Sequence, residues 1–80
     1  MRIDKFLKVS RLIKRRTVAN EACDKEHVSV NGRAVKASYE VKEGDVLEIS
    51  FGARKLRARV LDIREHTGKA EAAGMYEILE

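Results

Sequence analysis

The chain has 80 residues, with 17 Lys/Arg against 13 Asp/Glu, five glycines, no proline and one cysteine. That length makes a single domain, expected over residues 1–80, with a core that stabilises it only modestly. No apolar run approaches the roughly 20 residues of a membrane span. The opening MRIDKF carries Asp4 and no apolar stretch of the secretory kind, and Cys23 alone makes neither an intrachain disulfide nor a zinc site. The expectation is a cytoplasmic protein with no membrane contact, cofactor or metal.

The charge is one-ended. Residues 1–36 hold ten Lys/Arg and four acids, whereas residues 37–80 hold seven and nine. Such a field suits a polyanion, because each cation placed near a phosphate releases condensed counterions. A solvated helix face is the plainer alternative.

In the first element, at about 100° per residue, Ile3, Phe6 and Leu7 share one arc, and Arg2, Lys5 and Lys8 lie opposite. Leu12 falls among the lysines if the helix continues, so it ends near residues 9–11. A helix of about two turns is too short for a membrane-surface anchor. The connector carries Arg11, Lys14 and Arg15, which should reach a nucleic-acid backbone.

A second helix should start at Arg16 or Thr17, with Val18, Ala19, Ala22 and Cys23 on its inner arc. Arg16 then stands in the first turn, beside Asn20, where the helix dipole disfavours a cation. Cys23 reads as a small core residue.

Beyond residue 27 the apolar period falls from 3.6 to 2. Asn31-Gly32 in VSVNGRAV marks a hairpin with positive φ at both turn residues, and Arg33 and Lys36 extend the basic surface. A Gly44-Asp45 turn precedes a strand in which Leu47, Ile49 and Phe51 alternate with polar positions. Leu56, Ala58 and Val60 do the same in the next. Residues 69–73 suit one helical turn, and MYEIL suits a last strand. The fold class is therefore α+β: two short N-terminal helices packed on a small twisted antiparallel sheet.

An enzyme is not expected, because there is no Gly-rich phosphate loop and no pair of carboxylates near a histidine. His27 and His66 are too isolated to propose as ligands or bases. A DNA-reading helix-turn-helix calls for a longer second helix and less sheet. Only four aromatics are present. Phe6 and Phe51 read as core-facing and Tyr39 and Tyr76 as packing residues, so base stacking is a poor mode. Phosphates, 2′-hydroxyls and the shape of folded RNA remain. On this reading Arg2, Lys5 and Lys8 contact phosphates. Asp4 caps the first helix, orients Arg2 or Arg16, or accepts from a ribose hydroxyl or base.

Four motifs now stand in order: Arg2-Ile3-Asp4 to Leu7, Arg16 to Ala19, Val28 to Gly32, and Val41 to Asp45. Together they resemble the S-four-type RNA-binding domain family, named after a ribosomal small-subunit protein. The opening RIDKFLKVSRLIKRRTVANEACD and the ending AGMYEIL are similar to its stand-alone bacterial members in ribosome-associated quality control. More distantly, they resemble the small heat-shock proteins of the class. The resemblance implies RNA contacts through Arg2, Asp4, Lys5, Lys8, Arg11, Lys14, Arg15, Arg16, Asn20, Arg33 and Lys36. It also implies binding to the large (50S) ribosomal subunit, its ribosomal RNA and tRNA, alongside a nascent-chain tailing factor that recruits alanyl-tRNA. The protein itself is expected to be a monomer off the ribosome. A general tRNA/rRNA module and a heat-shock-type recycler of stalled subunits are the alternatives. Two positions depart from the family pattern: Arg15 replaces a helix-capping serine, and Glu26 replaces a glycine.

Overall fold

The computed structural model describes residues 1–79; Glu80, the last residue of the expected domain, lies outside them. Helices α1 (Ile3–Val9) and α2 (Arg16–Asp24) come first. Strands β1 (Val28–Val30), β2 (Arg33–Ala34), β3 (Val46–Phe51) and β4 (Arg54–Val60) follow. Helix α3 (Lys69–Ala72), a 3-10 turn (Ala73–Met75) and β5 (Tyr76–Leu79) complete the chain. The strands form one antiparallel sheet in the order β2-β1-β3-β4-β5.

Helix α1 is pinned by backbone pairing before any side chain acts. Its first amides have no helical partner, and those of Ile3 and Asp4 donate to the carbonyls of Tyr39 (2.7 Å) and Ala37 (3.3 Å). Val41 N–H donates to Met1 C=O at 2.9 Å, and Arg2 bridges Glu40. The helix then buries Ile3, Phe6 and Leu7 completely. Against them pack Ala19 and Cys23 of α2, Val28 and Val30 of β1, Leu47 and Ile49 of β3, Val60 and Met75.

Both helices stop on a non-glycine in the left-handed region: Arg11 at φ 65° after α1 and Glu26 at φ 60° after α2. The end of α2 is a Schellman motif. Glu26 N–H donates to Cys23 C=O at 3.0 Å, and His27 N–H to Ala22 C=O at 2.8 Å.

The Asn31-Gly32 hairpin forms with φ of 52° and 86°. It is tied to the second turn through buried Asp45, which accepts from Asn31 Nδ2 (3.2 Å), Tyr39 Oη (2.9 Å) and Lys42 N–H (3.0 Å). Asn31 Oδ1 in turn accepts from Val46 N–H at 3.0 Å. Asn31 thus adds two side-chain bonds to its role as a turn former.

Two inward-facing expectations fail. Val18 is 48 % exposed, because the narrow buried stripe of α2 runs through Ala19 and Cys23 and Val18 lies on its shoulder. Phe51 is 46 % exposed. It closes β3 opposite Arg54 at the hairpin, where the buried alternation of Leu47 and Ile49 has run past the core.

Candidate nucleic-acid interface

The short α1 and α2 put Arg2, Asp4, Arg16 and Asn20 around one buried carboxylate. Asp4 accepts from Arg2 Nε (3.2 Å) and Nη2 (3.3 Å), from Arg16 Nη2 (3.4 Å) and from Asn20 Nδ2 (3.3 Å). It also accepts from Lys5 N–H at 2.8 Å, satisfying one first-turn amide from inside the helix, whereas the N-cap, Arg2, makes no side-chain cap. Of the roles open in the sequence, the geometry fits the orienting of Arg2 and Arg16.

The Asp4 side chain is 3 % exposed, whereas both arginines are 47 % exposed. Burial pushes the Asp4 carboxyl upward, but the hydrogen bonds from Asn20 and Arg16 and the charges of Arg16 and Arg2 outweigh it. The result is a carboxyl held below its ordinary range. An ionised Asp4 takes Arg2 Nε and Nη2 and Arg16 Nη2, and the two half-exposed guanidiniums keep further N–H donors. Planar, bidentate donors of this kind suit phosphate oxygens.

The remaining predicted residues separate into four groups. Lys8, Arg11 and Lys14 gather on one open concavity of about 670 Å³. Arg15 is exposed at the N-cap of α2, with extended φ of −127° and no side-chain capping bond. Lys36 lies across the protein in a groove shared with Asp24 and Glu26, and Arg33 is exposed on edge strand β2; neither is among the residues assembled around Asp4. Lys5 pairs with Glu65, an association sixty residues apart that no local pattern signals. His66, Thr67 and Lys69 face the same concavity as Lys8 and were missed because they sit in the half of the chain with net negative charge.

Away from the helices, Lys55 and Arg57 of β4 share the single carboxylate of Glu48 (3.8 and 3.9 Å), Arg59 pairs with Glu77, and Arg64, in the loop after β4, pairs with Asp62. Lys8, Arg11, Lys14 and Arg15, a run of cations with no acid between them, make no ion pair with any described residue, which suits a polyanion.

The chain has counterparts among known proteins. The S4 domain family matches residues 1–47. The RQC P-site tRNA stabilizing factor of Streptococcus pneumoniae is 53 % identical over 79 residues, covering 99 % of this chain and 90 % of that protein. The factor of the same name from Bacillus subtilis is 52 % identical over 80 residues, covering 100 % and 93 %. In structure, the trimeric Heat Shock Protein 15 of Vibrio cholerae is similar over 99 % of this chain and 81 % of that one, with a TM-score of 0.91 and 26 % identity.

Proposed function

Because the chain belongs to the S4 domain family, on the branch of the RQC P-site tRNA stabilizing factors, we propose that it is a non-catalytic RNA-binding factor of the large ribosomal subunit. It seats on ribosomal RNA and on the peptidyl-tRNA held there, and supports quality control of stalled nascent chains. One observation carries this reading: Asp4 accepts from both Arg2 and Arg16, holding two half-exposed guanidiniums together next to the basic connector.

The mode is backbone recognition. Phe6 is buried and Tyr39 is spent on Asp45; Phe51, exposed at the β3–β4 hairpin, is a single ring and not the succession of rings that stacked single-strand reading uses. Guanidiniums held by a shared carboxylate instead suit the phosphates of folded RNA. Binding therefore holds a tRNA in place and leaves its chemistry alone. A tailing factor that recruits alanyl-tRNA is the expected protein partner, and the protein acts in the cytoplasm as a monomer when off the ribosome.

A heat-shock-type recycler of stalled subunits is the second reading, favoured by the close match in shape to Heat Shock Protein 15. The far higher identity to the stabilizing factors weighs for the first.

Fractionating lysate on a density gradient tests the proposal. The protein should migrate with free large subunits and increase there when stalled complexes are enriched. Recovery only at the top of the gradient, under both conditions, would overturn it.

A further inference from the structure

The segment after β4 is the least expected neighbour of the helices. Lys5 of α1 pairs with Glu65, and the next residues, His66 and Thr67, with Lys69 at the start of α3, form one wall of the concavity whose other wall is Lys8, Arg11 and Lys14. Lys8, Arg11, Lys14 and Lys69 make no ion pair with any described residue. Arg11 is also held at φ 65°, where glycine is the relaxed choice.

Unpaired cations from two distant parts of the chain repel one another. Their convergence on one open hollow, with no internal carboxylate to balance them, is stable only at a modest cost that an external anion removes. Four cations, a histidine and a threonine line the concavity with Val9 as its one apolar residue, a lining that suits the phosphates of a nucleic-acid strand better than a small apolar ligand.

We propose that the His66–Lys69 segment is the second wall of a phosphate-binding groove, latched to α1 by the Lys5–Glu65 pair, that takes the RNA backbone beside the part of it contacted by Arg2 and Arg16. This rests on the RNA-binding reading and extends it to residues outside the S4 match. It also changes the assignment of Lys5. Its ammonium positions the segment through Glu65 and is not itself the phosphate contact. The hydrogen bond and charge of Lys5 hold the Glu65 carboxyl below its ordinary range.

Three variants test this in one titration against purified large ribosomal subunits carrying tRNA, over a range of KCl. Lys69→Ala places a good helix former in α3, so folding is not at stake, which its circular dichroism would verify. It should weaken binding several-fold and lower the salt slope by about 0.7–0.9, the value of one phosphate contact. Lys55→Ala removes the same charge from a sheet lysine already near Glu48 and should do much less. Glu65→Gln gives a test of opposite sign. By net charge alone it should bind RNA more tightly, whereas loss of the latch should weaken binding by up to about fivefold. Equal losses for Lys69→Ala and Lys55→Ala, or tighter binding by Glu65→Gln, would overturn the groove while leaving the RNA-binding reading intact. No binding by the unaltered protein would overturn both.

Discussion

Asp4 shows how one residue is committed by its surroundings. Asp4→Asn keeps the shape, raises the net charge by one, and removes the carboxylate that two arginines share. RNA affinity measured at fixed KCl should therefore fall, against the direction that net charge predicts; an increase would mean that Arg2 and Arg16 need no alignment. The same substitution should cost about 1–2 kcal/mol of stability at neutral pH, at the lower end because both guanidiniums are half in water. The pH dependence has a fixed sign. A carboxyl whose folded pKa is depressed contributes stability that is fully present above its ordinary value of 3.8 and is lost as pH falls through the lower folded value. Melting curves of the two proteins should thus converge below about pH 4 and separate above it. Glu26 makes the opposite case. It occupies the left-handed position of a Schellman motif, and Glu26→Gly should raise stability by about 1 kcal/mol by removing the β-carbon penalty. An unchanged or lower melting temperature would contradict that. Cys23, 3 % exposed and raised to about pKa 11 by burial and by the charges of Asp4 and Asp24, should resist alkylation until the protein unfolds.

At the scale of elements, much of the molecule was legible because its signals are local. The break in period at residues 9–11, the inner apolar arc that starts α2 at Arg16 or Thr17, and the positive-φ demand of Asn31-Gly32 each act within a few residues. The ends of α1 and α2 and the first hairpin follow directly. What was not legible depends on where a face stops being covered. Alternation places Phe51 with Leu47 and Ile49, yet nothing in the pattern says that the helices cover β3 only as far as Ile49. Val18 fails for the same reason on α2. The Lys5–Glu65 pair and the Asn31–Asp45 bond join separate motifs, and only the closed sheet brings them together. One element-level prediction uses the departure at residue 15. Arg15 is the N-cap of α2, already in the extended conformation that a capping serine adopts, but it makes no side-chain cap. Arg15→Ser should stabilise the protein by about 1 kcal/mol, seen as a higher denaturant midpoint with unchanged slope, and should weaken RNA binding by one cation. A gain in stability without any loss in affinity would remove Arg15 from the RNA-binding surface.

Across the whole molecule, the decisive feature is where charge is left unpaired. Strand β4 sets Arg57 directly opposite Glu48 and Arg59 opposite Glu77. Arg2 and Arg16 share one buried carboxylate, whereas Lys8, Arg11, Lys14 and Arg15 of α1 and the connector make no ion pair with any described residue. Contact and mere net charge make different predictions for two substitutions that remove the same single charge. Arg16→Ala should leave stability nearly unchanged, because Asp4 keeps Arg2, Asn20 and the Lys5 amide. The most direct test is to measure the affinity of Arg16→Ala and Arg57→Ala for large ribosomal subunits carrying tRNA, over a series of KCl concentrations. A marked loss for Arg16→Ala, with a salt slope lower by about 0.7–0.9 and a much smaller effect for Arg57→Ala, is the predicted result. Equal losses for the two variants would contradict it, reducing the helical face to part of a diffuse basic surface.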